Sequence, residues 1–112
     1  MTCLSNAVVV IDVTSRHITD VNQAAISITG YGKEELIGKP LEVLYPPDIV
    51  MALLKDCLRL HTSDGAVGLH GVGLGSLLTK EGNATHVDLY ARLLSHPTPT
   101  LLVEHRVVNV AL

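Results

Sequence analysis

Thr29-Gly30-Tyr31-Gly32-Lys33-Glu34-Glu35-Leu36-Ile37-Gly38-Lys39-Pro40 carries both a start and a stop for one very short helix. Glu34 and Glu35 stand near its beginning, where the helix dipole favours anions. Gly38 is placed to cap its end, and Pro40 prevents continuation. Gly30 closes the helix that precedes it. A helix of one or two turns is not stable alone, so it must lie on a larger platform.

Upstream, residues 7–13 form an apolar run rich in Val and Ile, which predicts a buried strand. Residues 14–17 are polar and read as a hairpin turn, and residues 18–21 as a second strand. Asn22 is an expected N-cap for a short helix carrying Ala24, Ala25, Ile26 and Ile28. Downstream, residues 41–45 form a turn-like piece that Pro46-Pro47 breaks. Asp48 is expected to cap the longest helix, over about 49–61. Its stripe of Ile49, Val50, Leu53, Leu54, Cys57 and Leu58 opposes Lys55, Asp56 and Arg59. Residues 62–65 end it.

Three strand-like runs follow. Residues 66–79 are interrupted by Gly68, Gly71, Gly73 and Gly75. Lys80-Glu81-Gly82-Asn83 reads as a hairpin turn. Residues 84–94 alternate, with Thr85, Val87, Leu89, Ala91 and Leu93 on one face. After a loop at 95–99, residues 100–111 form the last run. Strands at both ends with helices between them predict an α+β fold on an antiparallel sheet.

The 112 residues suit a single domain over 1–112. A hydrophobic fraction of 47% excludes disorder, and with no Phe or Trp the core must be built from Val, Leu, Ile and Ala. A net charge of −3 without a basic block leaves nucleic-acid binding unsupported. Cys3 and Cys57 make no disulfide scaffold and no zinc spacing; Cys57 reads as a small buried hydrophobe. With no signal peptide and no apolar run long enough for a bilayer, the expected location is cytoplasmic, without membrane contact.

The opening segment resembles the "GYs-x-EEliGk" signature of the PAS family. Ile18-Thr19-Asp20-Val21-Asn22-Gln23-Ala24-Ala25 is similar to that family's "I-x-x-vN-x-aa" segment, and Lys80-Glu81-Gly82 to its "kdG" turn. The three lie in the family's order and cover nearly the whole chain. The resemblance implies a five-stranded antiparallel sheet in the order 2-1-5-4-3 with short helices over one face. It further implies a sensory or interaction module without catalytic activity, a piece of a larger signalling protein. Such a module feeds an output domain: a histidine kinase, a cyclic-dinucleotide enzyme, a chemoreceptor or a transcription regulator. Residues 107–112 depart from the family by lacking the acid and hydroxyl of its terminal Asp-Ile-Thr motif. The family's flanking N-terminal helix is expected to be absent or reduced to residues 1–6.

Within that frame a small ligand would settle between the helices and the sheet. The expected apolar lining is Ile26, Ile28, Leu36, Leu53, Leu54, Val87, Leu89, Leu101 and Val103. Two histidines join the candidates: alternation puts His105 with Leu101, Val103 and Val107, and His70 with Val72 and Leu74. Each could bond a ligand, or could be an ordinary surface or satisfied core histidine. Flavin photochemistry is unsupported, because residues 38–45 hold no cysteine. Haem is also unsupported: the middle of the long helix offers only Met51, with His61 at its very end. No cofactor is therefore expected. Gly71-Val72-Gly73-Leu74-Gly75-Ser76 imitates a phosphate loop, yet strand and turn follow it where a helix would be needed. Strand glycines more often mark a bulge or a close approach. The alternative is a ligand-free homodimerisation scaffold meeting through the outer face of the sheet, where Leu102, Val108 and Val110 fall. A small enzyme would need a convergent nucleophile, acid and base, and the sequence has no such group.

Overall fold

A computed structural model of the chain describes residues 6–62, 70–94 and 98–108, with side chains for 6–55, 71–94 and 98–108. The elements run β1 (Ala7–Asp12), β2 (His17–Val21), α1 (Gln23–Thr29), α2 (Lys33–Leu36), a 3-10 turn (Leu41–Val43), α3 (Pro47–Thr62), β3 (His70–Leu78), β4 (Ala84–Leu94) and β5 (Thr100–Val107). The strands form one antiparallel sheet in the order β2-β1-β5-β4-β3, as the resemblance implied. The first and last strands are thus neighbours at its centre. Among the described residues no helix is long and apolar enough to cross a membrane.

Period-2 alternation sends one face of each central strand inward. Ala7, Val9 and Ile11 of β1, Val87, Leu89, Ala91 and Leu93 of β4, and Leu101 and Val103 of β5 are all buried. The helical layer answers with Leu36, Leu41, Leu44, Ile49, Val50 and Leu53. Each fully buried aliphatic side chain contributes roughly 1.5–3 kcal/mol, so the sheet-to-helix seam holds the domain together.

Two glycines explain the broken pattern of β3. The register with β4 slips between Gly71 and Gly73, and Gly73 sits at φ +128°, where an L side chain is strained. At Gly75 a Cβ would stand 2.6 Å from Ile49 Cδ1 and 2.9 Å from Leu89 Cδ1. The bare backbone there leaves room for the Ile49 side chain of α3 to pack onto the strand.

The structure corrects several expectations. The slip in β3 breaks the predicted His70–Val72–Leu74 face: Val72 is half-buried against the core, while Leu74 lies opposite Asp88 and is 75% exposed. Val107, grouped with His105 by alternation, is 42% exposed where the strand leaves the core. The long helix begins at Pro47, with Asp48 inside its first turn. Proline suits that first position, because its missing amide hydrogen would have no partner there. Gly38 ends α2 as expected: that helix stops at Leu36 with Ile37 as its C-cap, and Gly38 follows at φ +85°, the left-handed position a glycine stop takes, while its amide donates to Ile18 O. The last strand ends at Val107; Val110 and residues 109–112 lie outside the described residues.

Candidate functional site

Among the described residues only two buried ones are polar, Thr29 and His105. Thr29 is accounted for locally, since its hydroxyl donates to Ala25 O at 2.8 Å. His105 is not a local matter. It lies on β5 between Ala7 of β1 and Leu89 of β4, fully out of water. Its Nδ1 is 2.9 Å from Ala7 O. A carbonyl oxygen can only accept, so Nδ1 carries the proton. Nε2 is then a lone pair, and the Tyr45 hydroxyl donates to it at 2.6 Å. The two rings are nearly parallel, 10° apart with centroids 5.6 Å apart, which is an offset stack.

This geometry admits a neutral imidazole with both nitrogens used. Burial pushes His105 down to about 4, against opposing pulls from Ala7 O and the Glu104 carboxylate. Burial likewise raises the Tyr45 phenol. Tyr45 alone of the tyrosines is fully buried. Its backbone amide donates to the carbonyl of Leu41, the first residue of the 3-10 turn, and Pro47 opens α3 two residues later. A hydrogen-bonded route therefore runs from the junction of two helices, through β5, to the first residue of β1.

Asn22 makes a second tie at the same end of the sheet. Its Oδ1 caps α1 by accepting from Ala25 N at 3.0 Å, and it also accepts from Val8 N at 2.9 Å. Its Nδ2 donates to Asn6 O at 2.8 Å. Asn6 Nδ2 in turn donates to Glu104 Oε1 at 2.6 Å. The predicted cap is thus present, and it anchors the start of β1 as well.

At the opposite end of β1 a small apolar cleft opens between sheet and helices, with about 10 Å³ of internal space, room for roughly one water molecule. Ile11, Val13, Arg16, Leu41, Leu53, Leu54 and Leu101 line it. Three of the predicted lining residues, Leu53, Leu54 and Leu101, meet there. Leu36, Val87, Leu89 and Val103 are instead fully buried in the core, and Ile26 and Ile28 pack half-buried against it. The backbone of His70 lies opposite Ala91 in the sheet, but its side chain falls outside the described residues, as do those of Cys57 and His61. Met51 is 55% exposed. Among the described residues no group of His, Cys, Asp and Glu could hold a metal.

Sequence reasoning missed Tyr45, Arg16, Ile11, Val13 and Leu41. The lone aromatic in an otherwise apolar stretch before two prolines was the available signal for Tyr45. On the outer face of the sheet, half-buried Val8, Val10, Leu94 and Leu102 are bordered by Asp88, Arg92, Glu104 and Arg106. Tyr90 there donates to Asp88 Oδ2 at 2.8 Å, and that bond raises its own phenol pKa.

Comparison with known proteins agrees with this architecture. Among curated proteins none matches the chain. Solved structures do. A PAS domain from Colwellia psychrerythraea shares 21% identity at a TM-score of 0.72, covering 92% of this chain and 86% of that one. A domain of a sensory box sensor histidine kinase/response regulator from Geobacter sulfurreducens shares 23% at 0.65, covering 90% and 82%. The PAS domain of the RpfR quorum-sensing receptor of Cronobacter turicensis, solved in complex with C12:0, shares 14% at 0.68, covering 97% and 99%. The sequence model of the PAS domain matches residues 5–98. With its sheet order, its capped short helices and that match, the chain belongs to the PAS domain family.

Proposed function

We propose that this PAS domain is a cytoplasmic sensory module that binds a small ligand or partner and passes its state to an attached output domain, without chemistry of its own. The observation that carries the reading is the buried route Tyr45–His105–Ala7. Leu41, Leu53 and Leu54 line the pocket from the two elements that meet at Tyr45. Whatever spreads those elements moves the hydroxyl that His105 accepts from. His105 and Ala7 stand near the end of the last strand and at the start of the first, so a change there reaches the places where the chain enters and leaves the sheet. A ligand with different affinity for the two packings would shift their populations, as signalling requires. The quorum-sensing receptor PAS domain of Cronobacter turicensis was solved in complex with C12:0, which is in keeping with a small ligand here.

Hydrogen exchange on Tyr45→Phe tests the route. The variant keeps the ring stack and leaves Nε2 unpartnered, at a cost of about 2 kcal/mol. A relay predicts protection lost locally at Ala7–Val9 and Glu104–Val107, with β3 and β4 unchanged. A control of similar cost, Leu93→Ala, lowers protection throughout. Uniform loss in Tyr45→Phe as well would reduce the pair to packing.

A second reading, homodimerisation through the outer face of the sheet, is favoured by one observation. Val10 pairs with Leu102 at the centre of that face, ringed by Asp88 and Glu104 on one hand and Arg92 and Arg106 on the other. Such a patch complements a second copy of itself.

A further inference from the structure

The two edges of the sheet are finished differently. At the β2 edge residues 38–41 close the strand: the Gly38 amide donates to Ile18 O at 2.8 Å, Ile18 to Lys39 O at 2.8 Å, and Leu41 to Arg16 O at 3.1 Å. At the β3 edge the Leu78 amide donates to Leu44 O at 2.7 Å, so it points away from β4. Backbone groups alternate sides along an antiparallel strand, and the register from Gly73 to Leu78 is unbroken. The amides and carbonyls of Leu74 and Ser76 therefore point outward too. His86, opposite Ser76, agrees, because its carbonyl accepts from Val108 N on the β5 side. Among the described residues no backbone group bonds to the outward groups of Leu74 and Ser76.

Edge strands are usually guarded by charge, proline or cover. Residues 70–78 carry no Lys, Arg, Asp, Glu or Pro. Their one guard is the bulge at Gly71–Gly73, which ends before Leu74. Leu74 is 75% exposed, the most exposed large apolar side chain among the described residues. We propose that β3 pairs edge to edge with β3 of a second copy, antiparallel about a two-fold axis at Gly75, joining two five-stranded sheets into one. Leu74 and Ser76 of each copy then exchange amide–carbonyl bonds with Ser76 and Leu74 of the other. The pairing is self-complementary, since each outward residue supplies one donor and one acceptor. Glycine suits the axis. Facing residues of a non-hydrogen-bonded pair have Cα atoms about 4.5 Å apart, and two glycines bring no side chains to that approach. The Leu74 side chain lies over the second copy's strand, and no charge within the strand meets its like. So short an edge buries little surface, which makes the contact weak and driven by concentration. It uses the edge and not the outer face, so it stands apart from the sensor reading and from dimerisation through Leu102.

Amide hydrogen exchange of the whole domain, read by NMR over a range of protein concentrations, tests the pairing. Gly75 and Leu77, directed at β4, should be protected at every concentration. Protection at Leu74 and Ser76 should rise in step with the dimer fraction from sedimentation equilibrium. A mixture of isotope-labelled and unlabelled domain should show an intermolecular contact between Gly75 α-hydrogens. Leu74→Lys sets the usual guard of natural edges on the strand. Ser76→Pro deletes one outward amide and spares the bonds to β4. Each should remain folded and lose the concentration dependence, while Leu102→Arg keeps it. Exchange at Leu74 and Ser76 that ignores concentration overturns the proposal. So does a dimer that survives Leu74→Lys and is lost in Leu102→Arg, which assigns association to the outer face. Protection at Leu74 and Ser76 that appears only on adding an extended apolar peptide overturns it as well, giving the edge to another protein.

Discussion

Acidification should destabilise this domain through one buried imidazole. His105 has a folded pKa of about 4, lowered by burial from an ordinary 6.5. When the chain unfolds the ring regains its ordinary affinity for protons. Below 6.5 the unfolded state therefore binds a proton that the folded state refuses, and stability falls as pH falls. The loss begins near pH 6.5, grows to about pH 4, and then levels off as the folded ring also protonates. A difference of about 2.5 units at 1.36 kcal/mol each amounts to about 3 kcal/mol, a large part of the stability of so small a domain. Urea denaturation between pH 4 and 8 measures it, as a native curve minus that of His105→Leu. Asp20 and Glu35, whose pKa values are lowered by bonds from Lys33 and from the Gly32 amide respectively, lose stability only as pH falls through the carboxylate range. They remain in both proteins and cancel in the difference. A difference curve that is flat between pH 4 and 6.5, or rises on acidification, would refute the buried neutral imidazole.

Other outcomes follow from particular contacts. Gly75→Ala should cost about 1–3 kcal/mol in urea melts, because the new methyl meets Ile49 and Leu89 at under 3 Å, whereas Leu74→Lys on the exposed side of the same strand should stay within about 0.5 kcal/mol. Asn22→Ala removes the α1 cap together with the bonds to Val8 and Asn6, and should lower stability by about 2 kcal/mol, at the top of the usual range for a cap. If the outer face joins two copies, Leu102→Arg should convert a dimer into a monomer in analytical ultracentrifugation, with the melting midpoint of the monomer little changed.

Local rules were legible wherever a side chain answers to its own neighbours. Asn22 stands three residues before the amide it caps, and Val87, Leu89 and Ala91 alternate without interruption, so both were readable from spacing. Parity failed in β3, because one extra residue at the Gly71–Gly73 slip turns every later side chain to the other face; the strand glycines signalled a bulge or a close approach, but not at which of them the register would slip. Gly38 was readable as a helix stop, but not the second task of its amide, which serves Ile18, twenty positions earlier in the chain. The pairing of Tyr45 with His105 spans a sequence separation of 60. Alternation could turn His105 inward, but only the assembled layers could bring a phenol to its Nε2. Arg16 looked like an ordinary turn residue, since the pocket beside it arises from four separated elements.

Everything proposed for signalling depends on the protonation pattern of one ring. A long-range nitrogen–proton NMR spectrum of the imidazoles at pH 7 reads it directly. The account predicts that His105 carries its proton on Nδ1, with an unprotonated Nε2 shifted by the Tyr45 hydroxyl, and that the Nε2 shift changes in Tyr45→Phe. A proton on Nε2, or a ring that titrates near 6.5 like a solvent-exposed histidine, would contradict it.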